Sequence, residues 1–358
     1  MTIKEHTPFA DLLQSNVPVP EWWTTRVGQV NAYIENEVSR GEVKVLATTP
    51  GGRPVYSVSY GQPEPALRGA ANFNSALGAR DPRAFLRREE RSRPVLVVLG
   101  GVHGQEMENT AGTLSAVKLM ETGRDLSGRE RPELLAMLER LRLVLIPVAN
   151  PDGRERVPYD GWVGLPTKEM TRIGQGTRSD GSPYGWPGCK AVHPMTGDVG
   201  GLGGYYDDAG VNLMHDEWPA PMSPVTAALL GLAREEGPDL LLNLHSHSAR
   251  PTVLSTAYVP RAVEDEAARL AERAYGHFDA AGLEHGALPA AGLEHPGTEP
   301  PPAFNLTSAL YHAGAALPVT FECPHGLADG VVPFGYEEIL SIQHLLQRAA
   351  AEQLLAAR

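Results

Sequence analysis

Four strongly apolar runs, at residues 95–99, 142–148, 240–246 and 317–322, stand out along the chain. Most successive positions in each run are apolar, which is typical of strands buried on both faces of a sheet. Between and after these runs, apolar residues recur three and four positions apart, and this spacing predicts amphipathic helices. The alternation of strands and helices predicts an α/β protein with a layered sheet.

The remaining pattern gives a hairpin and the positions of the helices. A first helix at 28–41 leads into two strands between 43 and 61, which flank a Gly51-Gly52 turn and therefore predict a hairpin. Further helices are predicted at 110–123, 132–141, 224–237, 262–282 and 336–357.

Two segments have neither the helix nor the strand period. Residues 62–92 are rich in proline, alanine and arginine, and we expect a surface insertion with some helix. Residues 154–209 form a second insertion, and we expect no regular element between 152 and 208, where glycine, proline, tyrosine and tryptophan are frequent. Long loops in compact proteins are usually functional, so this insertion is expected to form a wall of the active site. With no clear linker or repeat, residues 1–358 are expected to form a single catalytic domain.

Composition narrows the class of protein. A chain of 358 residues with 42% hydrophobic residues can bury a large core, which predicts a globular protein. The formal net charge of -12 and the scattered lysines and arginines argue against a nucleic-acid partner. No stretch is apolar for long enough to span a bilayer, and the first residues lack the apolar core of a signal peptide. We therefore expect a cytoplasmic protein without membrane contact.

The cysteine content limits the kinds of metal site. Only Cys189 and Cys323 are present, and they are far apart in sequence. Neither a disulfide scaffold nor a cysteine-based zinc site is expected. Histidines and carboxylates would have to hold any metal.

Candidate metal ligands follow two of the buried strands. His103 and Glu106 come shortly after the strand at 95–99, and a turn or helix there would point them to the same side. His245 lies at the end of the strand at 240–246, and the carboxyl ends of strands are where α/β sheets bind ligands. Two histidines and a glutamate are a ligand set of hydrolytic zinc sites, with a fourth position left for water. The metal would lower the pKa of that water and polarise a carbonyl group.

Glu322 is the candidate general base. It ends the apolar run at 317–322, and a carboxylate buried at such a rim is suited to moving a proton. A single histidine at a strand end is more often structural than a ligand. The conjunction of three strand ends with suitable chemistry is what favours a catalytic site.

Five segments, in chain order, resemble the signature segments of the M14 zinc carboxypeptidase family (carboxypeptidase A-like). They are HGQE, ANPDGRER, GVNLMHDEW, LHSHS and TFE, starting at residues 103, 149, 210, 244 and 320. The resemblance extends from about residue 43 to the last helix. It implies a three-layer α/β/α fold with a mixed, mostly parallel central sheet and one zinc ion per chain. It also implies that His103, Glu106 and His245 bind the zinc and that Glu322 activates the water and protonates the leaving amine.

The chain departs from this family at the position of the substrate clamp. The resemblance implies an Asn-Arg pair whose guanidinium holds the C-terminal carboxylate of the substrate, but Met214 and His215 stand there. A neutral imidazole cannot reproduce the two parallel hydrogen bonds of a guanidinium. His215 is therefore expected to bind a different substrate group. The mobile active-site tyrosine of the family has no counterpart in GTEPPPAF at 297–304.

Several residues remain candidates for the walls of the pocket. The resemblance implies an arginine that stabilises the oxyanion. Arg178, in a Thr-Arg-Ser context, is the first candidate, and Arg172 and Arg154 are alternatives; Arg172 is also expected to contact substrate. His247 lies two residues after His245, on the same face of an extended strand, and either lines the pocket or substitutes as a ligand. Pocket lining is the favoured interpretation.

The sequence thus predicts a zinc-dependent hydrolase that cleaves an amide or peptide bond with a metal-activated water and Glu322 as the base. The expected substrate is a small amide, an acyl-amino compound or a modified peptide. One alternative is an ordinary carboxypeptidase whose clamp comes from the long loop, and another is an aspartoacylase-like deacylase. A non-catalytic metal-binding or ligand-binding protein is a third, although it would have no need of Glu322.

Overall fold

The computed structural model describes residues 9–64, 69–289, 301–314 and 317–356. One mixed sheet forms the centre of the fold. Its strands are β1 (Glu42–Thr48), β2 (Pro54–Tyr60), β3 (Val95–Leu99), β4 (Arg142–Ile146), β5 (Leu240–His247), β6 (Thr252–Leu254) and β7 (Leu317–Pro324).

The sheet order is β1-β2-β4-β3-β5-β7-β6. The four central strands, β4, β3, β5 and β7, run parallel to one another. The hairpin of β1 and β2 adds an antiparallel edge on one side, and the short β6 adds another on the opposite side. Because β3, β5 and β7 are adjacent and parallel, their carboxyl ends meet at one edge of the sheet, where the candidate ligands were expected.

Helices cover both faces of this sheet. They are α1 (Val27–Glu37), α2 (Phe73–Gly78), α3 (Met107–Thr122), α4 (Pro132–Leu138), α5 (Pro151–Arg156), α6 (Thr167–Gln175), α7 (Pro224–Glu236), α8 (Arg261–Ala280), α9 (Leu306–Gly314) and α10 (Tyr336–Ala356). Residues of α1, α3, α4, α8 and α10 share a core with one face of the sheet, while α7 and α9 share a core with the other. This confirms the three-layer α/β/α prediction.

Strand alternation decides which side chains face which layer. Leu242 and Leu244 point into the larger core, whereas Leu241 packs on the side of α7 and α9. On β7, Cys323 is fully buried in the larger core, so the neighbouring Glu322 points to the opposite face.

The expectation of no regular element between 152 and 208 is wrong. The structure has α5 at its start and α6 within it. The sequence of α6 contains only two large apolar residues, Met170 and Ile173, which is too few to show a helical period in a nine-residue element. The short strand β6 and helix α9 were likewise not predicted.

The insertion at 62–92 is more than a surface loop. It contains α2, as expected, and Phe73 and Phe85 are buried against Tyr311 of α9. No helix in the described ranges has the length and apolar character needed to cross a membrane. The single-domain boundaries stay a prediction.

Candidate metal centre

The turn after β3 delivers His103 and Glu106. The chain leaves the sheet at Leu99, and Glu106 directly precedes the first residue of α3. Gly104 lies so close to the start of α5 that a Cβ atom there would come within 2.0 Å of the Arg154 backbone nitrogen. Only glycine fits this approach, and the resulting contact fixes the turn that presents both side chains.

His103, Glu106 and His245 converge into one buried cluster. Nδ1 of His103 lies 2.7 Å from one carboxylate oxygen of Glu106, and Nδ1 of His245 lies 3.0 Å from the other. The two Nδ1 atoms are 3.3 Å apart. All three side chains are buried. The structure therefore brings the three predicted ligands together.

The electrostatics of the cluster favour an ionised carboxylate. Burial alone would raise the pKa of Glu106, but the adjacent His103 and His245 lower it to about 2. Burial lowers the pKa of His103, which favours the neutral imidazole that binds metals.

The geometry of the cluster fits a metal ion. One atom from each of the three residues can be chosen so that all lie within 4.8 Å of one another. In a tetrahedral zinc site with bonds of about 2.0–2.1 Å, neighbouring ligand atoms lie roughly 3.4 Å apart, close to the spacing seen here. Two imidazole nitrogens that face each other and share one buried carboxylate need a cation or protons between them. These residues are suited to hold zinc.

Two residues that the sequence analysis missed fix the orientation of His103. The side-chain oxygen of Asn212 lies 3.1 Å from Nε2 of His103, so this nitrogen donates a hydrogen bond and leaves Nδ1 free to bind metal. The ring of Tyr205 stacks on the imidazole with 4.1 Å between centroids. Asn212 lies in the segment that carries the family resemblance, whereas nothing in the sequence marks Tyr205.

Glu322 stands next to the cluster on the adjacent strand. It is the register partner of His245 in the β5–β7 pairing, so both side chains point to the same face of the sheet. Burial raises the pKa of Glu322 to about 7, with a further increase from the charge of Glu106 and opposing effects from His245 and His325. A raised pKa suits a carboxyl group that accepts and returns a proton.

His325 pairs with a second buried glutamate. Nδ1 of His325 lies 3.1 Å from a carboxylate oxygen of Glu108, and both side chains are about 1% exposed. Burial would lower the pKa of His325, but the carboxylate of Glu108 raises it. His325 is therefore buried, and its charge opposes the rise in the pKa of Glu322.

His215 lies near the cluster but is not one of its three candidate ligands. Burial lowers the pKa of His215 to about 3, and the charges of Lys190, His103 and His245 lower it further. The imidazole is therefore neutral. The preceding Met214 points away into the core, where its sulfur accepts a hydrogen bond from Asn243 at 3.5 Å.

His247 faces the loop after β5. Its Nε2 donates to the carbonyl oxygen of Arg250 at 2.7 Å. Among the described residues, the group that could hold a metal ion does not include His247. This geometry disfavours His247 as a substitute ligand, and its place in the pocket lining stays a prediction.

The structure does not bring the candidate arginines to the cluster. Arg178 donates to Pro183 at 2.9 Å and lies over the ring of Tyr184, within its own turn. Arg172 pairs with Glu169 on the same helix at 2.8 Å. An oxyanion role for Arg178 and a substrate contact for Arg172 stay predictions that no contact among the described residues supports.

Arg154 makes its hydrogen bonds away from the cluster. It is fully buried and donates to backbone carbonyl oxygens of Thr25, Val157 and Tyr159 at 2.7–3.0 Å. Burial lowers its pKa to about 9. These bonds join the amino-terminal segment to the loop after α5, so Arg154 is a structural residue.

A buried His-Glu-His cluster at the carboxyl edge of an α/β/α sheet is the arrangement of a metallopeptidase. The sequence profile of the zinc carboxypeptidase family matches residues 31–249, more than half of the chain. The chain therefore belongs to the zinc carboxypeptidase family, as the signature segments predicted. No curated protein matches the chain significantly.

Solved structures share the fold at low sequence identity. The metallo-carboxypeptidase from Burkholderia cenocepacia is 14% identical, with a TM-score of 0.58 over 92% of this chain and 70% of that one. Thrombin activatable fibrinolysis inhibitor is 12% identical, with a TM-score of 0.57 over 94% and 79%. The Pseudomonas aeruginosa metallo-carboxypeptidase in complex with (2-guanidinoethylmercapto)succinic acid is 15% identical, with a TM-score of 0.51 over 92% and 69%. This likeness confirms the fold.

Proposed function

We propose that this protein is a zinc-dependent hydrolase that cleaves an amide or peptide bond, with Glu322 as the general base. The observation that carries the proposal is the register pairing of Glu322 with His245, because it sets a half-buried carboxyl group beside the His103–Glu106–His245 cluster. One zinc ion per chain would be held by these three side chains. When bound, zinc lowers the pKa of water and polarises the carbonyl group under attack.

Glu322 then has two tasks. It accepts a proton from the attacking water and later donates that proton to the leaving nitrogen. Burial raises the pKa of this carboxyl group, which suits a group that must accept and then return a proton. A protein that only bound a metal would gain nothing from such a group, and this argues against a non-catalytic protein.

The chemistry around His215 points to the substrate class. A neutral imidazole and a buried Met214 provide no guanidinium at this position. The substrate we propose is a small amide, an acyl-amino compound or a modified peptide. An ordinary C-terminal carboxypeptidase with a relocated clamp is the second candidate. One observation favours it: the charge of Lys190, from the long insertion, interacts with His215 and Glu322.

The test compares zinc-loaded, metal-free and His103→Ala protein on a panel of N-acetyl amino acids and N-acetyl dipeptides. Hydrolysis that requires zinc and is lost in the variant supports the proposal. Equal turnover with and without zinc would contradict it. A location in the cytoplasm is proposed on the sequence alone and can be tested by fractionation.

A further inference from the structure

The backbone around Lys190 is held by hydrogen bonds on both sides of it. It lies in a short helical turn, Gly188–Ala191, within the long insertion. Before it, the carbonyl oxygen of Cys189 accepts a hydrogen bond from the Tyr206 hydroxyl at 2.9 Å. After it, Nε2 of His193 accepts from the backbone N–H of Asn212 at 2.8 Å.

These two hydrogen bonds connect the turn to residues in or next to the surroundings of His103. Asn212 contacts Nε2 of His103 through its side chain, and Tyr205, the neighbour of Tyr206, stacks on the same imidazole. The backbone of the turn is therefore fixed relative to the metal ligands. The Lys190 side chain therefore starts from a defined backbone position.

The charge of Lys190 is felt by the residues that face the substrate. Among the charged neighbours of His215, Lys190 has the largest effect on its pKa, ahead of His103 and His245. The same ammonium group acts on Glu322. Lys190 is thus a cation near His215 and Glu322, whereas the arginines discussed above make no contact with the cluster in the described ranges.

Among the described residues, the ammonium group of Lys190 has only a weak partner. It lies 4.8 Å from the centroid of the exposed Trp186 ring. Across the described ranges, no carboxylate pairs with it. A cation held against an exposed aromatic ring by a weak cation–π contact can move to a stronger anionic partner when one arrives.

We infer that Lys190 binds a free carboxylate group of the substrate, adjacent to the amide bond that is cleaved. The inference rests on the proposed function and narrows its substrate class to acyl-amino compounds with a free carboxylate, such as N-acyl amino acids. An ammonium group is a compact point charge without the planar fork of guanidinium. It therefore selects for a negative charge and tolerates variation in the geometry of the substrate. His215, neutral and adjacent, is placed to add a hydrogen bond to the same group.

A cation at this position could instead stabilise the oxyanion, and the two roles differ in what they require of the substrate. A carboxylate anchor acts on binding and only on substrates that carry the charge. An oxyanion contact acts on the rate for charged and uncharged substrates alike. Paired free-acid and amidated substrates separate these possibilities.

The binding experiment uses zinc-loaded Glu322→Gln protein, so that the substrate is not consumed. The probes are N-acetylphenylalanine, N-acetyl-lysine and N-acetyl-Gly-Phe, each as the free acid and as the C-terminal amide, with Kd measured by calorimetry. We expect at least one free acid to bind about tenfold or more tightly than its amide, as for a charge-assisted hydrogen bond. Adding Lys190→Met should remove the preference, and Lys190→Arg should keep it. Lys168→Met, at an exposed lysine of α6 in the same insertion, is the matched control and should change nothing.

The second readout is turnover, measured with protein that retains Glu322. Lys190→Met should raise KM for free acids while kcat and zinc content change little. A preference for free acids that survives in Lys190→Met would overturn the inference. The absence of any such preference in protein that retains Lys190 would also overturn it. An equal loss of kcat on both substrate forms would assign Lys190 to the oxyanion and also overturn it. If free acids bind through Lys190 but the wild type cleaves none of them, the proposed hydrolysis fails while the anchor stands.

Discussion

His245 and Glu322 occupy the same register position on adjacent parallel strands, β5 and β7. Neighbouring strands lie about 4.8 Å apart, and residues in register point to the same face. The backbone alone therefore sets a carboxyl group beside a metal ligand, without any loop to position it. In this arrangement Cys323, one residue later, is directed into the core on the opposite face.

Substitution of Glu322 by glutamine separates catalysis from metal binding. Glutamine keeps the shape of the side chain but cannot accept and return a proton, so kcat should fall by about 10²- to 10⁴-fold. Zinc content should stay the same, since Glu322 is outside the ligand cluster. Steady-state kinetics and elemental analysis on the same preparation provide both values. Full activity in the glutamine variant would remove Glu322 from its assigned role.

Asn212 positions His103 and should influence metal affinity without touching the metal. Its side-chain oxygen accepts from Nε2 of His103 at 3.1 Å and from the backbone N–H of Met214 at 2.9 Å. Asn212→Ala should weaken zinc binding about 10- to 100-fold, as is typical when the partner of a ligating histidine is removed. Asn212→Asp, which keeps an accepting oxygen, serves as the control. Competition with a chromophoric chelator measures the affinity, and an unchanged value in the alanine variant would show that the contact has no such effect.

A guanidinium at residue 215 should replace the lysine anchor. In the Lys190→Met background, His215→Arg brings a cation back to the same side of the cluster and offers two parallel hydrogen bonds to a carboxylate. We expect the double variant to recover kcat/KM on free-acid substrates by about tenfold or more relative to Lys190→Met, with no gain on the amides. Without such a selective gain, the idea that residues 190 and 215 serve one substrate group fails.

The buried His344 should make the fold sensitive to acid. Burial lowers its pKa from 6.5 to about 3, and Nε2 lies 2.9 Å from the Ser115 hydroxyl. Below pH 6.5 the unfolded chain binds a proton at this residue while the folded chain does not, so stability falls as the pH decreases from about 6.5 towards 3. While only the unfolded state is protonated, this group contributes about 1.4 kcal/mol per pH unit.

His344→Gln keeps a hydrogen-bonding group near Ser115 but cannot titrate. The difference in unfolding free energy between wild type and variant should shift in favour of the variant as the pH falls through this window. Urea unfolding at several pH values between 7 and 4 measures it. A difference that does not change with pH would contradict a neutral His344 in the folded state.

The sequence predicted the parts of the site that lie on or directly after strands. Buried strands have a clear pattern, and their carboxyl ends meet in any parallel sheet, so His103, Glu106, His245 and Glu322 could be associated before the fold was known. The family resemblance fixed their order and the three-layer architecture.

The parts contributed by the long insertion could not be predicted. Tyr205 stacks on His103 across a long separation in sequence, and Lys190 lies in irregular backbone held by Tyr206; such contacts leave no period. Arg178 was selected because three letters matched a motif, but its own turn provides its partners. Local similarity in a loop does not determine where the side chain points.

The most direct test of the account is mass spectrometry of the products formed by the zinc-loaded protein. The substrates are N-acetyl amino acids and peptides in free-acid and C-terminally amidated forms, with Glu322→Gln protein run in parallel. The account predicts zinc-dependent hydrolysis of N-acetyl compounds at the amide bond next to a free carboxylate, with little product from their amidated forms and none from the glutamine variant. Cleavage confined to amidated compounds, or products that form equally with Glu322→Gln, would contradict it.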